Sequence, residues 1–131
     1  MNKKVFACLL AFLMLLGLVA VPTAVKAEDE EANEIVILYT NDVHCGVSDN
    51  IGYVGLARIK AALEAAGKDV ILVDSGDSAQ GDVIGTLSKG EAIIELMNDV
   101  GYDIATIGNH EFDYGMDQFN KNVSLAKFQY V

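Results

Sequence analysis

Six side chains able to bind a metal or move a proton fall at three points along the chain. They are Asp42 and His44, then Asp77, then Asn109, His110 and Asp113. Carboxylate and amide oxygens together with imidazole nitrogens are the donor set of a hard or borderline divalent cation. Each point follows a short apolar or β-branched run: Ile35-Val36-Ile37-Leu38-Tyr39, Val70-Ile71-Leu72-Val73 and Ile104-Ala105-Thr106-Ile107. The donors therefore belong at the ends of three successive strands.

Asp42 and His44 are two residues apart, so strand-like alternation points both the same way, as two ligands of one ion require. Gly76 permits a tight turn before Asp77, whose two oxygens can bridge two cations. Asn109 offers an amide oxygen. The arrangement predicts one ion on Asp42, His44 and Asp77, and a second on Asp77 and Asn109. Two ions about 3.5–4 Å apart would suit displacement at phosphorus. His110 is then free to stabilise a charged transition state or to protonate a leaving oxygen. Asp113, three residues on, either holds one ring nitrogen of His110 or caps the following helix. Glu111 and Asp74 read as structural. Cys45 reads as a partly buried spectator thiol rather than a zinc ligand. Tyr53 reads as packing, and Gln80 and Gly81 could face a substrate.

The elements around these points alternate. Helical spacing covers residues 53–66, 91–100 and 116–126, with Gly67 and Gly101 placed to close the first two. Residues 75–89 form a long loop with a short helical piece, and residues 128–131 begin a fourth strand. This βαβαβαβ order predicts an α/β fold with a mostly parallel sheet covered by helices. Ligands of such sheets bind beyond the carboxyl ends of the strands, where Asp42, Asp77 and Asn109 lie. Neither a P-loop nor a dinucleotide glycine fingerprint occurs.

Residues 1–27 read as a signal peptide: Lys3 and Lys4, an apolar run over residues 5–21, Pro22, and Val25-Lys26-Ala27 as a cleavage site. An uncleaved membrane anchor is the alternative. Cys8 has no apolar run before it and is not placed for lipid attachment. Cleavage would leave no stable membrane span and a secreted, periplasmic or cell-surface product. Residues 28–34 read as an acidic linker, and residues 35–131 as the fold. The 131-residue chain carries a net charge of −10, and loss of Lys3, Lys4 and Lys26 makes the rest more acidic. No basic stripe is available for a nucleic-acid duplex. An acidic protein can still handle phosphate where a metal ion supplies the positive charge. Of two cysteines only Cys45 remains after cleavage, so stability must come from the core or from metal rather than an internal disulfide.

At Tyr39-Thr40-Asn41-Asp42-Val43-His44, Asp74-Ser75-Gly76-Asp77-Ser78-Ala79-Gln80-Gly81 and Gly108-Asn109-His110-Glu111-Phe112-Asp113 the sequence resembles the calcineurin-like metallophosphoesterases. Within that family it is most similar to the exported bacterial branch of 5′-nucleotidases and 2′,3′-cyclic-nucleotide phosphodiesterases. The resemblance runs from about Ile35 to the end of the chain. It implies the N-terminal half of a four-layer α/β/β/α sandwich, and hydrolysis of phosphate esters by a metal-bound hydroxide at a two-metal centre. Asp42, His44, Asp77 and Asn109 match metal ligands, and His110 and Asp113 match the catalytic pair; zinc, manganese, iron or cobalt would suit. A nucleotide or other small phosphate ester is the implied substrate. Sugar phosphates remain an alternative, as does a vestigial binding or surface module without activity. Cys45 stands where many relatives have glycine directly after the histidine. The later histidine ligands, a Gly-His-x-His motif and the C-terminal substrate-binding domain are expected beyond Val131. The second metal site is thus expected to be incomplete in this chain, and the chain alone inactive.

Overall fold

The computed structural model describes residues 34–131, so the expected signal peptide and most of the acidic linker lie outside the described residues. Four strands form one parallel sheet in the order β1-β2-β3-β4: β1 (Ile35–Thr40), β2 (Asp69–Asp74), β3 (Ile104–Ala105) and β4 (Gln129–Tyr130). Between them run α1 (Gly52–Ala65), α2 (Val83–Ser88), α3 (Glu91–Val100) and α4 (Met116–Leu125). A short 3-10 turn, His110–Phe112, precedes α4. Among the described residues no helix is long and apolar enough to cross a membrane.

Both predicted helix stops are present. Gly67 N–H donates to Glu64 O and Lys68 N–H to Leu63 O, the paired bonds that close a helix on a left-handed glycine. Tyr102 N–H donates likewise to Met97 O after Gly101. The Lys60 ammonium donates to Gly101 O as well, tying α1 to the end of α3.

The register sets Leu38 beside Leu72, and Thr40, Asp74, Ala105 and Tyr130 in one row. This side of the sheet packs on the helices. Leu72, Ile93, Ile94, Met97 and Ala105 are fully buried, joined by Tyr53, Leu56, Tyr102 and Phe128. The opposite side is bare and apolar: Ile35, Ile37 and Tyr39 are 62%, 63% and 72% exposed, with Ile71 and Ile104 beside them. The sequence predicts helices covering the sheet; among the described residues the helices cover one side of it. Strands laid down in consecutive order by crossovers of one hand send every connecting helix to the same side.

The third strand is shorter than residues 104–107. Asp103 N–H donates to the Leu72 carbonyl and Thr106 N–H to the Asp74 carbonyl. Beyond Thr106 the chain has no strand to pair with, because β2 itself ends at Asp74.

Candidate metal centre

The loop after β1 does not continue as a strand. Asp42, His44 and Cys45 have φ of 51°, 46° and 61°, and Asp77 has 59°. Left-handed backbone costs an L-residue roughly 1–2 kcal/mol, with Asp, Asn and His better tolerated than most. Asp42 and His44 therefore converge through left-handed turns rather than through strand alternation, which corrects the reason given by their spacing. The Asp42 carboxylate still ends 3.9 Å from His44 Nε2.

These torsions are held from outside the loop. Asp42 N–H donates to Gly76 O, His44 N–H to Asp77 O and Cys45 N–H to Ser78 O. The loops after β1 and β2 thus run side by side as an irregular extension of the sheet. The Gln80 carbonyl lies 3.1 Å from His44 Nδ1. A carbonyl only accepts, so Nδ1 is the donor in this bond, and Nε2 is the ring atom turned toward Asp42. Gly81 packs so closely on His44 that a Cβ there would collide with the His44 carbonyl oxygen. Gln80 and Gly81 thus support His44.

The loop after β3 closes on the same place. A Cβ on Gly108 would collide with Asp77 Oδ1, so only glycine permits the approach. His110 N–H donates to Asp77 Oδ1 at 2.8 Å. The rings of His44 and His110 meet edge to face with centroids 5.1 Å apart. One donor atom each from His44, Asp77 and His110 falls within 4.8 Å of the others. One carboxylate and two imidazoles at such range fit a divalent cation. Asp42 borders this trio through His44. Asn109 is exposed and opens the turn that carries His110. His110, assigned by its sequence to proton chemistry alone, has its ring among the donors.

Asp113 Oδ2 lies 2.8 Å from His110 Nδ1. That bond raises the His110 pKa above its ordinary value, burial opposing it only in part. The helix-cap alternative for Asp113 is not what the structure shows, since Gly115 occupies the N-terminal position of α4. Glu111 is buried and accepts backbone N–H groups from two loops. Asp74 is buried at the end of β2, accepting from the Thr40 hydroxyl at 2.5 Å and from Gly76 N–H. Burial pushes its pKa up to about 6. Cys45 is fully buried, its thiol 3.6 Å from Ser78 O and pressed on Gly85. Burial raises the thiol pKa, which disfavours the thiolate a metal would need. Tyr53 packs near Tyr102 with ring centroids 6.4 Å apart. Sequence reasoning left out the Gln80 carbonyl and the reach of Glu111, since both act through backbone groups that any residue could supply.

A parallel α/β sheet with metal-type donors on neighbouring strand ends defines the class of protein. The calcineurin-like phosphoesterase pattern matches residues 35–130, and the chain belongs to that family. A 2′,3′-cyclic-nucleotide 2′-phosphodiesterase/3′-nucleotidase of Yersinia enterocolitica is 35% identical over 75% of the chain and 18% of its own length. A snake venom 5′-nucleotidase of Gloydius brevicauda is 40% identical over 63% of the chain and 16% of its own length. In fold, the crystal structure of a 5′-nucleotidase precursor from Thermus thermophilus superposes with a TM-score of 0.68 at 24% identity. It covers 74% of the chain and 21% of that structure. The chain therefore spans about a fifth of the length of these proteins. Metallophosphoesterases use divalent metals, and His44, Asp77 and His110 mark a possible site for one.

Proposed function

We propose that the chain is the N-terminal part of an exported, metal-dependent phosphoester hydrolase of the 5′-nucleotidase type. The observation that carries this reading is the convergence of His44, Asp77 and His110 at the carboxyl edge of the sheet. Asp42, His44 and Asp77 would hold one divalent ion, and Asp77 with Asn109 a second. Bound there, the ions supply Lewis-acid stabilisation of charge at phosphorus.

The remaining work falls to the chain itself. Asp113 fixes the His110 ring by Nδ1, and in this reading Nε2 binds no ion but would donate to a phosphoryl oxygen or to the departing one. The raised pKa of His110 favours the protonated form that such donation needs. An acidic chain repels a phosphate ester, so productive binding depends on the cations. The nucleotidase names of the relatives support a nucleotide as substrate. The Yersinia relative supports a second reading, hydrolysis of a cyclic nucleotide. Residues 1–27 are read as the export signal and residues 28–34 as a linker. Residues 35–131 are read as one part of the phosphoesterase domain, which the longer relatives support.

The test uses the protein expressed from its whole coding region, stripped of metal and reloaded with Mn²⁺ or Zn²⁺. Phosphate release from AMP and from 2′,3′-cyclic AMP is measured. Metal-restored release, lost to background in Asp77→Ala, is the expected result. Hydrolysis that survives both chelation and this substitution would overturn the reading.

A further inference from the structure

Glu111 is 4% exposed and, among the described residues, has no basic side chain paired with it. A buried carboxylate needs compensation, and here it comes entirely from backbone. Oε2 accepts from Asp77 N–H at 2.9 Å and Gly108 N–H at 2.7 Å. Oε1 accepts from Ser78 N–H at 2.9 Å and, more weakly, Ala79 N–H at 3.5 Å. Three consecutive N–H groups curved around an anion form a backbone nest. This one depends on the positive φ of Gly76 and Asp77, 98° and 59°. The fourth N–H belongs to the other loop, the one carrying Asn109 and His110.

We propose that Glu111 is a positioning residue that clips these two loops together and sets Asp77 against His110 before any metal binds. The proposal rests on the functional reading above. A carboxylate has about four lone-pair sites, and four N–H groups occupy them. Glu111 therefore has no oxygen lone pair left for a metal, though it sits two residues from Asn109. The ionised acid is required by number and sign. A glutamine would turn an NH₂ donor toward two N–H donors, and an aspartate is one methylene short of the nest.

Two measurements test it, both on the protein from its whole coding region. The first is amide exchange in the metal-free wild type. The Asp77, Ser78 and Gly108 amides should be protected within about tenfold of the β2 amides, as part of one cooperative unit. Free exchange until Mn²⁺ is added would mean that the metal orders the loops, and would overturn the proposal. The second is calorimetric Mn²⁺ affinity of Glu111→Gln, with exposed Glu95→Gln as control. Loss of an outer partner of a ligand weakens binding about 10–100-fold, and that is the expected shift for Glu111→Gln alone. Affinity within twofold of the wild type would leave Glu111 merely structural. If Glu111→Gln does not fold, the exchange measurement decides. A wild type that binds no Mn²⁺ would sink the functional reading instead, which separates the two failures.

Discussion

Leu72, Ile93, Ile94 and Met97, fully buried between sheet and helices, hold their places by packing. Their backbone is regular strand or helix, and its hydrogen bonds close within or between those elements. At the carboxyl edge of the same strands the order has another origin. Asp42, His44, Cys45 and Asp77 sit in left-handed backbone, held by cross-loop bonds and by one buried carboxylate, Glu111. The core therefore tolerates exchange of like for like, whereas the edge depends on particular donors and acceptors. Strained backbone is concentrated where donor atoms must converge.

Substitutions can separate the two regions. His110→Ala should lower kcat by about 10²–10⁴-fold, the span of a general acid, while shifting thermal stability little, since the ring is half-exposed. An equal loss in melting temperature and activity would place His110 with the core. Leu72→Ala should do the opposite. It should cost about 2–5 kcal/mol of stability by denaturant titration and leave kcat per folded molecule close to wild type.

Asp74 stands between the regions, buried like the core and bonded like the edge. Its pKa is raised from the ordinary 3.8 to about 6, so the folded state holds the proton more tightly. Its contribution to stability is complete below the unfolded value and is lost as pH rises through about 6. At about 1.4 kcal/mol per pH unit this is worth at most about 3 kcal/mol. Asp74→Asn should flatten the stability profile between about pH 4 and 6; an unchanged slope would assign it to other carboxylates. The smallest effect belongs to the bare side of the sheet. In the 131-residue chain Ile37→Thr should change stability by no more than about 0.5 kcal/mol, because Ile37 is 63% exposed. A larger loss would show that something covers this side.

Much of the scaffold was legible in residue order. The apolar runs at Ile35 and Val70, the helical spacing around Leu56 and Ile94, and the glycines at 67 and 101 all mark elements the structure contains. These signals are local and periodic, so they survive in one dimension. The short β3 was not legible, because its length depends on where β2 stops. The one-sided sheet was not either, because sidedness follows from strand order. At the site, the types and neighbours of Asp42, His44, Asp77, His110 and Asp113 could be read, and the His110–Asp113 bond was one of two roles their spacing left open for Asp113. The geometry that joins them could not.

Residue chemistry and periodicity thus suffice to place the strands, their polarity and the donors at their ends, since each depends on neighbours a few positions away. The left-handed torsions at Asp42, His44 and Asp77, the orientation of the His44 ring on the Gln80 carbonyl, and the entry of His110 into the donor group depend on loops some thirty positions apart in sequence. Glu111 shows the physical reason. Its four partners are main-chain N–H groups, which every residue but proline carries, so only their arrangement in space selects them.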